Sequence, residues 1–173
     1  MAILTGTGIV QTDIELLCKQ LAISLPDDYI QFLKKYNGFW VDSSDGCELP
    51  FDKVDNGYIS FDAFFGYQVN NEKFDLALTN DEFLDELSFI EHAVIIGCDP
   101  GDNFFVLVTE GEQAGVYYWD RTCLHADDNK QDYTISGDDD YLHLYQCSEN
   151  FSVFFEKILT LTVKKGMATS TGL

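Results

Sequence analysis

Apolar residues recur along this chain with two periods, and the switches between the periods divide it into elements. In TDIELLCKQL, residues 12–21, Ile14, Leu17, Cys18 and Leu21 repeat at i, i+3, i+4 and i+7, the spacing of one helix face. Thr12 and Glu15 predict a capping box at its start. A second helix is predicted in LPDDYIQFLKKYNGFW. Pro26 suits the first helical position, Asp27 and Asp28 complement the positive end of the helix dipole, and Lys34 and Lys35 complement the negative end. Tyr29, Phe32, Leu33 and Tyr36 form its apolar stripe. Asn37 and Gly38 then supply a left-handed stop.

From Phe39 to Phe65 the texture changes to aromatic and β-branched residues interrupted by SSDG and DNG, which predicts short strands with a tight turn at Asp55-Asn56-Gly57. Thr79 and Glu82 predict a cap for a short helix that buries Phe83, Leu84 and Leu87. Three strands follow, over 93–98, 103–108 and 115–119, with Gly111 and Gly115 flanking the second connection. DPGD lies between AVIIGC and FFVLV, with Pro100 and Gly101 at the central positions, the residue order of a type II turn. In SENFSVFFEKILTL, Ser148 is the expected cap of a helix burying Phe151, Phe154, Phe155 and Ile158. Residues 1–163 read as a single domain and 164–173 as a flexible C-terminal tail.

Composition narrows the classes of function. With 173 residues, 46% hydrophobic and 14% aromatic, the chain has the means to bury a sizeable core. Thirty acidic against ten basic residues give a formal charge of −20, and Arg121 is the one arginine. Such a surface repels phosphate backbones and anionic headgroups, so nucleic acid and membrane are excluded as partners and a basic macromolecule is favoured. Fourteen Phe, nine Tyr and two Trp argue against disorder. The N-terminus has no positively charged leader and no apolar run approaches eighteen residues, which predicts a cytoplasmic protein. Five cysteines without a C-x-x-C pair suit reduced, mostly buried thiols.

The candidate chemistry is thin. Asp99 and Asp102 present oxygens to a hard cation or serve as turn residues; further ligands at alternating spacing and a downstream bidentate Glu are missing, which favours the turn. Cys123, His125, His143 and Cys147 are four potential zinc ligands, but not at the spacing of a familiar finger. No nucleophile elbow and no Gly-rich phosphate loop is found. The expectation is no enzymatic activity, no cofactor and no metal.

Residues 120–140 hold seven aspartates, Asp120, Asp127, Asp128, Asp132, Asp138, Asp139 and Asp140, against Arg121 and Lys130. Two readings stand side by side: a solvated loop, or a docking face for a basic partner. On the second, the last six aspartates supply charge and Trp40, Tyr58 or Tyr67 supply apolar anchors. Core packing is the competing fate of those aromatics.

In order and spacing these pieces resemble the SUKH superfamily, which contains the Smi and Knr cell-wall regulators of yeast. Leu25, Pro26, Tyr29, Phe32, Leu33, Asn37 and Gly38 resemble its N-terminal signature; Ile95 to Asp102, Phe104 to Leu107, and Gly115, Val116, Trp119 and Asp120 resemble its strand, turn and G-x-V-x-x-W-D pattern. The Phe-rich helix after Ser148 also fits, and the acidic segment maps onto no motif. The resemblance implies a single α+β domain with a central, mostly antiparallel sheet packed by N-terminal and C-terminal helices. It further implies an immunity protein that neutralises a cognate bacterial toxin domain with a basic surface, such as a nuclease. The alternative is a regulatory or scaffolding module, and the expected state is a monomer or weak homodimer.

Overall fold

The computed structural model describes residues 2–42, 46–137 and 143–173. The elements run β1 (Ala2–Thr5), α1 (Gln11–Leu21), α2 (Asp27–Lys35), β2 (Phe39–Val41), β3 (Cys47–Pro50), β4 (Tyr58–Phe61), β5 (Ala63–Phe64), α3 (Leu76–Phe83), β6 (Ala93–Cys98), β7 (Phe104–Val108), β8 (Gly115–Asp120), β9 (Ile135–Ser136), β10 (His143–Ser148), α4 (Phe151–Leu161) and β11 (Ala168–Thr171). Among the described residues, nine strands form one sheet in the order β11-β1-β2-β5-β6-β7-β8-β10-β9, and β3 and β4 form a separate hairpin. Every pairing between these strands, among the described residues, is antiparallel except that of β1 with β11. The chain is thus an α+β domain with a mostly antiparallel sheet.

Strands β6, β7 and β8 are buried at every position, because both faces of the sheet are covered. Successive side chains of a strand point to opposite faces. Phe104 meets Phe83 of α3 and Trp119 on one face, whereas Phe105 meets Phe154 of α4 and Phe61 on the other. Helix α2 joins the second layer through Tyr29 and Phe32, whose rings lie 4.8 and 5.1 Å from Phe151. The stripes of α1, α2 and α4 turn inward as their periodicity predicts, with Leu17, Leu33 and Ile158 fully buried. Asn37 (φ 43) and Gly38 (φ 107) end the α2 segment in left-handed conformation.

The caps differ from expectation. Helix α1 starts after Val10, whose N–H donates to Asp13 Oδ2 at 3.3 Å. Helix α3 starts at Leu76, where the Asp75 carboxylate accepts from the N–H groups of Ala77 and Leu78 at 2.9 and 3.0 Å. Asn150 caps α4 by accepting from Val153 N at 2.9 Å, and Ser148 closes β10. In α3 and α4 it is Asp75 and Asn150, and not the predicted Thr or Ser, that stand where the extended backbone enters the helix, so their side chains meet the unpaired N–H groups. The DPGD turn also differs. Its left-handed residue is Asp102 (φ 62), not Gly101, so it is not a type II turn. Asp99 sets the geometry by accepting from Gly101 N and Asn103 N at 2.7 and 2.9 Å.

Where a tail was expected, Ala168–Thr171 pairs in parallel with β1. Gly172 N and Leu173 N both donate to the Thr5 carbonyl, and Leu173 is 6% exposed. It sits against Gly38, where a Cβ would collide with it. Residues 166–171 carry no apolar alternation; the ladder offered by β1, which no local pattern announces, is what orders them.

Candidate docking surface

The acidic segment begins on a buried carboxylate. Asp120, at the end of β8, is 0% exposed and accepts from Leu124 N and His125 N, both at 2.8 Å. These bonds fold the chain back, so that His125 is itself buried and its Nδ1 lies 3.0 Å from Asp128 Oδ2. The same Asp128 oxygen accepts from Asp55 N at 2.9 Å, and Asp55 Oδ2 accepts from Asn129 N at 3.1 Å. Lys53 Nζ donates to Thr134 Oγ1 at 2.7 Å. The loop between β3 and β4 is therefore latched to residues 128–134 by reciprocal bonds. Sequence spacing gave no sign of this, because the partners are some seventy to eighty positions apart.

The expected contact residues divide. Asp127 and Asp132 are exposed, whereas Asp128 is partly buried and engaged in the latch. Asp138, Asp139 and Asp140 lie outside the described residues. Tyr58 is 40% exposed. Tyr67 is 6% exposed, with its backbone N–H and carbonyl both bonded by the Asn37 side chain; the core has claimed it, and it offers no surface anchor. Trp40 is half-buried, stacks at a tilt on Phe74 and donates its indole N–H to Asp62 at 3.1 Å. Burial raises the Asp62 carboxyl above the ordinary range, with Lys73 opposing the shift.

The candidate metal ligands serve other contacts. His125 pairs with Asp128, His143 stacks on Tyr133 with centroids 3.8 Å apart, and desolvation pushes the Cys147 thiol up to about 12. Among the described residues no three His, Cys, Asp or Glu side chains gather into a metal-holding group. Asp99 is likewise saturated: besides its turn bonds it accepts from Asn103 Nδ2 at 3.1 Å and Tyr118 OH at 2.9 Å. Four donors on one buried carboxylate hold the hairpin shut and leave little room for a cation. Among the described residues no helix is long and apolar enough to cross a membrane.

No curated protein matches the chain. The family model described as the SMI1 / KNR4 family (SUKH-1) matches residues 8–157. That span takes in α1 and α2, the three central strands, the acidic segment and the first seven residues of α4. With the sheet order and the buried signature residues in place, the chain belongs to the SMI1/KNR4 (SUKH-1) family.

Proposed function

We propose that this protein is a non-enzymatic immunity protein that binds a cognate toxin domain with a basic surface, a nuclease, and covers its substrate cleft. Family membership supports an immunity or SMI1/KNR4-type role. The observation that carries the finer reading is the charge of −20 combined with exposed carboxylates, Asp127 and Asp132, on a segment latched in place. A nuclease cleft is basic because it binds phosphates, so complementary fields accelerate encounter and added salt slows it.

The test is surface plasmon resonance against the toxin domain encoded beside this chain, together with protection of cells expressing it. Replacing Asp127, Asp132, Asp138, Asp139 and Asp140 with Asn while keeping Asp128, whose carboxylate holds the latch, removes five charges. Association is expected to slow on the order of tenfold with little change in dissociation. Unchanged association and unchanged protection would sink the reading. A gene neighbourhood without a toxin favours the second reading, a regulatory module, which the same family match supports.

A further inference from the structure

One face of α4 is left without cover. Its inward face is Phe151, Phe154, Phe155 and Ile158. On the other side Val153, Lys157, Thr160 and Leu161, spaced i, i+4, i+7 and i+8, line a groove of about 750 Å³ whose opposite wall is Leu49 and Pro50 of β3. That spacing is one continuous stripe along a helix. Val153, on that stripe, is a large apolar side chain left 50% exposed. Tyr58 pairs directly with Pro50 across the hairpin, so the two share its outer face with Glu48, two residues before Pro50.

Charge says what fits there. The cations beside the groove are matched by acids: Lys157 and Lys53 keep their charge while donating to the Cys147 carbonyl and to Thr134, Lys164 is paired with Glu156, and Lys165 acts on Cys47 of β3. Glu48, Asp52 and Glu149 stand exposed around the same region. The groove also runs into the acidic ridge, because Pro50 leads into the loop whose Asp55 is latched to Asp128 and Asn129. An apolar floor that opens onto a ridge with the exposed carboxylates Asp127 and Asp132 is complementary to a helix whose apolar side chains alternate by turns with Lys or Arg.

We propose that the α4–β3 groove is the seat for a basic amphipathic helix of the partner, with Val153, Leu161 and Pro50 receiving its apolar stripe and the ridge of residues 51–57 and 127–132 steering its charge. The proposal rests on the reading of a basic partner above and adds where, and in what form, that partner is held. Charge brings the partner in and the groove sets how long it stays, since area desolvated at the centre of an interface governs dissociation.

The probe is a 14-residue peptide with Leu at helical i, i+3, i+4, i+7 spacing and Lys elsewhere, compared with a scrambled peptide of the same composition. Each is titrated into ¹⁵N-labelled full-length protein and followed by backbone amide shifts. The ordered peptide is expected to bind at least about tenfold tighter than the scrambled one, with shifts at residues 49–50 and 153–161. The variant Val153→Glu/Thr160→Glu fills the groove while adding two negative charges, and both positions are exposed, so its fold is checked simply by its melting curve. The groove reading requires it to bind the ordered peptide at least about tenfold more weakly. Equal binding of the two peptides, or binding by the variant as tight as or tighter than wild type, means that charge alone holds the peptide; the groove is then overturned while the basic-partner reading stands. Absence of any shift at the groove overturns it as well. Loss of toxin association on the Asp→Asn changes, read separately, decides the basic-partner reading itself.

Discussion

Asp99 and Asp127 are the same side chain in two acidic stretches, and they do opposite things. Asp99 is 3% exposed and accepts four hydrogen bonds, from Gly101 N, Asn103 N, Asn103 Nδ2 and Tyr118 OH. Asp127 is exposed on the segment that Asp120 folds back. A buried carboxylate is tolerated where donors replace its lost water, and then it fixes the backbone. An exposed one keeps its water and projects charge. Acidic residues in this chain therefore divide into those that build the hairpins and those that supply the field, and the number of donors within reach separates them.

The sharpest way to break that contrast is Asp99→Ala. It leaves four donors without their acceptor, three of them in the turn itself, and is expected to cost on the order of 3–5 kcal/mol, read by urea denaturation. Asp127→Ala is expected to stay within about 0.5 kcal/mol of wild type. Comparable losses for the two variants would erase the distinction.

Asn80 extends it to an uncharged group. From α3 its side chain accepts from Ile95 N and donates to the Ile95 carbonyl, both at 2.8 Å, where the pairing of β6 with β7 shifts register. Asn80→Ala is expected to cost about 2–3 kcal/mol, through two β6 backbone groups left unpaired. A loss below about 1 kcal/mol would show that water or a register shift replaces the side chain.

The latch gives a smaller effect. Asp55→Ala removes the acceptor of the Asn129 backbone N–H, and about 1 kcal/mol is expected. Faster hydrogen exchange should appear in both residues 51–57 and 128–134. Exchange rising in only one of them would mean that the two loops are ordered independently.

Asp62 sharpens the contrast from the side of pH. It is buried, its carboxyl accepts from the Trp40 indole N–H, and burial raises its pKa. The native state then holds this proton to higher pH than the unfolded chain does. Stability from this group is full below its ordinary 3.8 and is lost as pH rises through the raised native value. Asp62→Asn keeps an acceptor for Trp40 and should flatten that decline, so the variant gains on wild type as pH rises above the ordinary 3.8. A gain that grows instead toward lower pH would reverse the assignment.

Several elements were legible because local pattern and tertiary environment agree. Ile14 and Leu17 mark the buried face of α1, Tyr29, Phe32 and Leu33 that of α2, and the runs AVIIGC and FFVLV are strands in the places their apolar continuity gives them. The caps were less legible. Thr79 and Ser148 carry the right oxygen, yet Asp75 and Asn150 stand at the N-cap position where the backbone turns into the helix. For the docking surface, the aspartates were visible as charge, whereas the latch to Asp55 and the groove on α4 join positions far apart in sequence.

By itself, the sequence determined the period of each element, the sign of the surface and the order of motifs that places the chain in its family. Those properties depend on residues a few positions apart. Only the tertiary structure decided that Ala168–Thr171 completes the sheet on β1, that Tyr67 lies in the core while Tyr58 remains at the surface, and that Asp128 ties two loops together while Asp127 faces water. In each case the outcome depends on which donor, edge or ring the fold brings within about 3–5 Å, and a side chain of given chemistry is buried or exposed according to whether those partners replace the water it gives up.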